Sequence, residues 1–171
     1  PEGEEVYASH PYLRGEVGGM FVDVVPCYRI DRVSEMKSAV DRTPFHTKYI
    51  KDNIKEMRDE VRLAKQFMKG IEVYGASSSI GGFSGYLVEV LIIRYGGFMK
   101  VIEWFSNCEC PLRIDDMEDN QESVMILRDP VDTRRNVAAS VTKDVLSMTI
   151  LAAKSFLNEP SEDFFFPKKE R

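Results

Sequence analysis

A carboxylate within an apolar strand pattern is the first feature of this sequence that suggests chemistry. Asp23 lies in MFVDVVPC (20–27), where its nearest neighbours are apolar and Pro26 ends the pattern. Burying an ionised carboxylate among apolar side chains costs on the order of several kcal/mol unless a partner compensates its charge. We therefore expect Asp23 to have a partner, either as an ordinary structural aspartate or as a metal ligand.

The other polar residues that could share a cleft with Asp23 are mainly cationic. They are His46, Lys48, Lys65 and Arg135. The sequence contains neither Gly-x-Ser-x-Gly nor His-Glu-x-x-His, and its two histidines have no evident Ser or Cys mate. A carboxylate with several cations fits phosphate handling by a metal ion better than acyl transfer.

Composition bounds the class of protein. The 171 residues are 43% hydrophobic and 30% charged, with a net charge of -5. This fits one or two small globular domains and disfavours a general nucleic-acid coat protein, although a local basic groove remains compatible. We expect no membrane span, no signal peptide and three reduced cysteines in a cytoplasmic protein. Because the chain begins with Pro1 in a strand-like pattern, we also expect a piece of a longer protein.

The patterns predict strands first and helices after them. Residues 4–29 predict two antiparallel strands joined at EVGG (16–19). A short helix is expected at 33–40, and Thr43 is expected to be extended because it precedes a proline. Later segments fall into two groups: predicted helices at 50–69, 84–95, 98–105 and 141–157, and predicted short strands at 112–115 and 124–127.

The predicted helix 50–69 carries a basic stripe beside its apolar stripe. Apolar residues recur every three or four positions, and cations recur one residue later, at Lys51, Lys55, Arg58, Arg62, Lys65 and Lys69. The stripe is either a solvated face with weak salt bridges or a wall that faces phosphates.

Two loops complete the list of candidate features. The Gly/Ser-rich segment before residue 84 matches no nucleotide-binding motif, and close packing at Gly82 and Gly85 explains it better. In RDPVDTRRN (128–136), Asp129 can cap a turn with Pro130 at its first position. Arg134, Arg135 and Asn136 are expected to project from that turn.

Five strings, taken in order, carry a family resemblance. They are YASHPYLRGEVGGMFVDVVPCYRI, SAVDRTPFHTKY, GGFSGYLVEVLI, DPVDTRRNVAAS and FFFPK. Together they resemble the archaeal class I CCA-adding enzymes, the tRNA nucleotidyltransferases that rebuild the 3′ CCA end. The resemblance implies an α+β fold: residues 1–50 would be the end of a polymerase-β-like palm, an antiparallel hairpin, and residues 51–171 a linking helix and a mostly helical central substrate-binding domain.

The resemblance also implies roles for individual residues. Asp23 would be one of three carboxylates that bind Mg²⁺, and Arg135 would read the edge of the incoming base. Contacts to the nucleotide are implied for His46, Thr43, Lys65, Tyr74 and, less directly, His10. The implied substrates are CTP, ATP and the 3′ end of tRNA, and a homodimer is compatible with the family.

Departures from the family pattern limit what this chain can do alone. The Gly-Ser and Asp-x-Asp elements that should precede Asp23 are absent, and Asp115 and Asp116 are poor substitutes. Ser9 and Gly81 stand where the family often has glutamate and arginine. We expect the chain to be inactive by itself, with Asp23 facing an open gap. Two alternatives stay open: a poly(A)-type or oligoadenylate-type nucleotidyltransferase, and a non-catalytic RNA-binding module of the same fold.

Overall fold

The computed structural model describes residues 3–7, 11–118 and 122–167. The chain forms two compact units, residues 1–47 and residues 48–171. Antiparallel strands dominate the first unit, and helices dominate the second. The predicted α+β class is confirmed, and the described helices include none that is long and apolar enough to span a membrane.

The first unit contains a three-stranded antiparallel sheet. Its strands are β1 (Gly3–Tyr7), β2 (Pro11–Val17) and β3 (Met20–Val24), in that spatial order. A two-residue turn joins β2 to β3 through Gly18 and Gly19, whose φ angles of 59° and 78° suit the hairpin turns that need left-handed residues. The expectation of two strands was wrong by one strand, because the segment before the turn supplies both β1 and β2.

Strand β3 is exposed, which corrects the expectation of a dry strand. All five of its residues are exposed, including Phe21 at 82% of its surface. A strand buries its apolar side chains only where a second layer covers the sheet. An apolar pattern alone cannot reveal whether that layer is present.

A buried aspartate organises the segment that follows the sheet. Asp41 accepts hydrogen bonds from the backbone amides of Tyr28, Lys37 and Ser38 at 2.7, 2.9 and 2.8 Å. Burial by itself would raise the pKa of Asp41, but these three amide donors outweigh it and hold the pKa below its usual value. Two short 3₁₀ turns, Val33–Glu35 and Ala39–Arg42, replace the single helix predicted at 33–40.

The predicted helix 50–69 is two helices. Helix α1 spans Thr43–Asn53 and helix α2 spans Arg58–Gly70, with Lys55 between them at a φ of +44°. Thr43 is helical, with φ −56° and ψ −42°, which corrects the expectation of an extended residue. Pro44 is tolerated because the first turn of a helix needs no amide donor there. The break also interrupts the predicted basic stripe after Lys51.

The second unit is built from helices around one apolar core. Helices α3 (Gly85–Tyr95), α4 (Phe98–Ser106) and α5 (Lys143–Asn158) join α2 there. Two short parallel strands, β4 (Leu112–Arg113) and β5 (Met125–Ile126), lie beside them. Ser84 and Thr142 cap α3 and α5 by accepting the amide hydrogens of Leu87 and Val145.

Aromatic packing ties the end of the described chain to this core. The ring of Phe67 on α2 lies with its centroid 5.5 Å from those of Phe156 and Phe165 and 5.9 Å from that of Phe164. Phe164 and Phe165 thus pack against the core, whereas Phe166 is 66% exposed. Helix α2 therefore packs against helix α3 and also against the aromatic residues at the end of the described chain.

Candidate functional site

Asp23 has a partner within its own sheet. It lies opposite Arg14 in the β2–β3 register, and Arg14 binds both carboxylate oxygens, Nε to Oδ1 at 2.7 Å and Nη2 to Oδ2 at 2.9 Å. The hydrogen bonds from Arg14 lower the pKa of Asp23 below its usual value. The sequence contained this signal, because a two-residue turn at 18 and 19 places residues 14 and 23 at equal distances from the turn.

The described residues do not form a complete metal site. Within residues 3–7, 11–118 and 122–167, no three His, Cys, Asp or Glu side chains are grouped closely enough to hold an ion. Asp23 supplies one carboxylate, and Arg14 occupies both of its oxygens. Mg²⁺ prefers near-octahedral oxygen coordination. These residues alone therefore do not fit Mg²⁺, and further ligands would have to come from elsewhere.

Thr43 and His46 also belong to the first unit, on the first turns of α1. Thr43 is exposed and lines a surface depression together with Val25, Cys27 and Thr47. His46 is partly buried. His10, the remaining candidate of this unit, lies outside the described residues, as does Ser9.

Lys65, in the second unit, is held against helix α3. Its Nζ lies 2.5 Å from Oε1 of Glu89, and only 26% and 22% of the two side chains are exposed. Tyr74 approaches the same place from the loop after α2. A Cβ atom added at Gly85 would lie 2.9 Å from the Tyr74 hydroxyl oxygen and 3.5 Å from Lys65 Nζ. The absence of a side chain at Gly85 thus lets both polar groups reach the first turn of α3.

Lys69 is a cation of this group that sequence reasoning did not single out. Its Nζ lies 5.3 Å from the centre of the Tyr74 ring, within the range of a cation–π contact. Lys65 and Lys69 are four residues apart on α2 and so share a helix face. That spacing was visible in the basic stripe, but the stripe gave no reason to prefer these two lysines.

The loop before α3 is shaped by close backbone packing, as the sequence predicted at Gly82. A Cβ atom there would lie 2.1 Å from the carbonyl oxygen of Val73, which accepts the Phe83 amide hydrogen at 2.8 Å. Gly81 has a φ of +59°, and a Cβ atom there would meet Thr142 Cγ2 at 2.5 Å. A side chain at position 81 would be strained in this conformation.

Arg135 is held by a buried carboxylate. Its Nη1 donates to Oδ2 of Asp129 at 2.9 Å, and 34% of the Arg135 side chain is exposed while Asp129 is fully buried. The other oxygen of Asp129 accepts hydrogen bonds from the Tyr86 hydroxyl at 3.0 Å and the Val131 amide at 2.9 Å. Burial and then the neighbouring Asp129 charge raise the pKa of Tyr86 well above its usual range, so this hydroxyl remains a donor.

Of the two residues beside Arg135, Arg134 projects as predicted and Asn136 does not. Asn136 is buried: its Oδ1 accepts the amides of Leu127 and Ala138 at 3.1 and 3.0 Å, and its Nδ2 donates to Met125 at 2.9 Å. It fixes the loop instead of projecting from it. Arg134 is 79% exposed, 4.0 Å from Asp132. The predicted cap by Asp129 is confirmed by its bond to the Val131 amide.

Helix α3 is the element that brings predicted residues of the second unit together. Its first turn contacts Lys65 and Tyr74 at Gly85, and the next residue, Tyr86, binds the carboxylate that holds Arg135. The positive end of a helix dipole and nearby cations favour an anionic ligand. Asp23, Thr43 and His46 belong to the other unit.

Comparison with known proteins identifies relatives along nearly the whole chain. The profile of the family described as "tRNA nucleotidyltransferase, second domain" matches residues 59–166. Proteins named CCA-adding enzyme are 49% identical in Thermoplasma volcanium over 96% of this chain, 46% in Methanothermobacter thermautotrophicus over 97%, and 46% in Saccharolobus shibatae over 96%. The chain spans 38 to 40% of the length of these relatives.

Proposed function

The chain belongs to the tRNA nucleotidyltransferase second-domain family, and on this premise we propose that it is the nucleotide-binding part of a cytoplasmic CCA-adding enzyme. The whole protein would transfer CMP and AMP from CTP and ATP to the 3′ end of tRNA and release pyrophosphate. The observation that carries the proposal is the common anchor of Lys65, Tyr74 and Arg135 on the first turn of α3.

The triphosphate of the nucleotide is assigned to the Lys65 side of this turn. An ammonium group, a tyrosine hydroxyl and the first amides of a helix are all donors suited to phosphate oxygens. Lys69, above the Tyr74 ring, adds a second positive charge to the same helix face. The Glu89 carboxylate beside Lys65 limits the net charge and must share the ammonium group when phosphate binds.

The base is assigned to Arg135. A guanidinium carries five hydrogen-bond donors in a fixed plane and can pair with the acceptor edge of a base. Selection of C and A over U and G by such a group would need no nucleic-acid template. The buried Asp129 supports this role, since it keeps one corner of the guanidinium fixed while part of the side chain remains exposed.

The catalytic step requires groups beyond those that this chain supplies. We propose Asp23 as one Mg²⁺ ligand, with further carboxylates provided by other parts of the whole protein. A bound Mg²⁺ would supply charge stabilisation at the transferred phosphoryl group and activation of the attacking 3′-hydroxyl. His46, Thr43 and His10 are proposed as further nucleotide contacts, and a homodimer of the whole protein as its assembly. Alone, the 171-residue chain is expected to bind nucleotide without transferring it.

The proposal is tested on the full-length protein that carries this chain. The protein is incubated with radiolabelled CTP or ATP and a tRNA that lacks its terminal CCA, and the incorporation of CMP and AMP is measured. We expect both nucleotides to be added in order, and the isolated chain to add neither. Incorporation of A alone in long tracts would instead support the poly(A)-type alternative. Binding of RNA without any incorporation would support the non-catalytic alternative.

Nucleotide choice provides the second arm of the test. Arg135→Ala is expected to lower the preference for CTP and ATP over UTP and GTP by about tenfold or more, a change of roughly 1.4 kcal/mol in transition-state discrimination. Arg134→Ala is the matched control, since this neighbouring arginine is largely solvent-exposed. Unchanged discrimination in Arg135→Ala would remove the base-reading role.

A further inference from the structure

Asp129 is a fully buried carboxylate whose two oxygens have different partners. Oδ1 accepts from the Tyr86 hydroxyl and from the amides of Val131 and Asp132, whereas Oδ2 accepts from Nη1 of Arg135. A buried carboxylate is costly unless charged or hydrogen-bonded partners compensate it. The need to cap the turn is met at Oδ1, so the cap alone does not explain why a charged residue stands here.

The backbone of Arg135 is fixed by the same loop. Its amide donates to the Asp132 carbonyl at 2.8 Å, and its carbonyl accepts from the Asp129 amide at 3.0 Å. The loop thus holds residue 135 at its backbone and again at Nη1 of its guanidinium. A long, partly exposed arginine would otherwise sample several rotamers, and ordering it on binding costs about 0.5–1.5 kcal/mol. Fixing both ends in advance removes most of this cost.

We propose that Asp129 is the positioning residue for base selection: it orients the Arg135 guanidinium for the nucleobase. This inference rests on the proposed function, because it deepens the base-reading role of Arg135. Nη1 is directed to the buried carboxylate, and the rest of the donor plane is then presented in one orientation. The Tyr86 bond ties this carboxylate to the first turn of α3, so base selection and triphosphate binding share one rigid element.

Asp129→Asn separates positioning from structural support. Asparagine has the same shape and keeps an oxygen for Tyr86 and Val131, so the cap and the contact with α3 persist. It places an amide NH₂ group opposite Nη1 of Arg135, where two donors repel each other. Asp129→Ser is a second variant, which keeps a capping hydroxyl and removes the arginine contact altogether.

The measurement is kcat/KM for each of the four nucleoside triphosphates in the full-length protein, with thermal unfolding in parallel. In Asp129→Asn we expect the preference for CTP and ATP to fall about tenfold, with little change in melting temperature. Arg134→Ala should leave both quantities unchanged. If Asp129→Asn does not fold, the same loss of preference is expected from Asp129→Ser.

The double variant Asp129→Asn/Arg135→Ala decides whether Asp129 acts through Arg135. We expect no further loss of preference beyond that of Arg135→Ala, as for two residues that act as one unit. An additional loss, an equal fall of kcat/KM for all four nucleotides, or retained preference in Asp129→Asn would overturn the inference alone. Retained preference in Arg135→Ala would overturn the base-reading function as well, so the two failures are distinguishable.

Discussion

Lys65 and Glu89 form an ion pair across 24 positions of sequence, with Nζ 2.5 Å from Oε1 and about three quarters of each side chain buried. The pair connects α2 to α3 at the place where the Tyr74 hydroxyl reaches the first turn of α3. Lys65 thus has both a structural partner and a position suited to phosphate. These two contributions are separable by experiment.

Lys65→Met should weaken binding of inorganic tripolyphosphate by about tenfold or more, because a charge-assisted donor is lost. The same change leaves Glu89 without its ion-pair partner and should lower the free energy of unfolding by about 1–3 kcal/mol. Titration calorimetry and urea unfolding measure the two effects.

The double variant Lys65→Met/Glu89→Gln should recover most of the stability but none of the affinity. Lys154→Met, a lysine change on the exposed side of α5, is the control for charge alone. Recovered affinity in the double variant would contradict a direct phosphate contact by Lys65.

Alanine at Gly82 and alanine at Gly85 should have different effects. At Gly82 the new Cβ would meet the Val73 carbonyl oxygen at 2.1 Å, a backbone atom that accepts the Phe83 amide hydrogen, so Gly82→Ala should destabilise the fold by about 1–3 kcal/mol. At Gly85 the nearest atom is the end of a side chain, the Tyr74 hydroxyl at 2.9 Å. Gly85→Ala should therefore cost little stability and mainly displace Tyr74, reducing tripolyphosphate affinity. Equal effects on unfolding would argue against this assignment.

Asp23→Ala should abolish C and A addition by the full-length protein, with activity down by about 100-fold or more, if the carboxylate is a metal ligand. Glu16→Ala is the matched control, since Glu16 is an exposed carboxylate on the neighbouring strand β2, opposite Phe21. Addition of both nucleotides at the control rate would eliminate the metal-ligand role and leave Asp23 as the ion-pair partner of Arg14.

Asp115 should make the second unit sensitive to acid. Burial by itself would raise its pKa, but the paired bonds from Arg94 at 2.9 and 3.1 Å and the Arg128 amide at 2.9 Å hold the pKa below the usual 3.8. The unfolded chain then takes up a proton at higher pH than the folded chain. The stability contributed by Asp115 is complete above the unfolded pKa and is lost as the pH falls through the lower, folded pKa.

Melting temperatures of the chain and of Asp115→Asn across pH 7 to 3 check this prediction. The difference between the two should be largest at neutral pH and should close as the pH falls below about 4. Asp116→Asn serves as the control, because Asp116 is exposed and binds Arg128 through its backbone carbonyl. A difference that widens on acidification would reverse the assigned direction of the pKa shift.

Much of the fold follows from local patterns. Helices α3 and α4 and the two short strands were predicted because apolar spacing is a property of neighbouring positions. Two predictions were wrong because a local rule was applied without its surroundings. Thr43 precedes a proline and yet is helical, because it begins helix α1. Strand β3 has an apolar pattern and yet is exposed, because burial also requires a second layer over the sheet.

In α5 the pattern also allowed more than one buried face. Met148 and Leu151 are 49% and 65% exposed, while Ile150 and Ala153 are in the core. Both sets recur at helical spacing, so the choice between them depends on where α4 packs. Periodicity identifies a helix more surely than it identifies the face that the helix buries.

The sequence by itself determined the family resemblance, the α+β class and the identity of candidates such as Lys65 and Arg135. Only the tertiary structure decided their partners. Glu89 meets Lys65 over 24 positions, and Tyr86 meets Asp129 over 43, because packing of α2 and of the loop after β5 against α3 sets these distances. Local periodicity carries no information about contacts between distant segments, and the orientation of a charged side chain depends on those contacts.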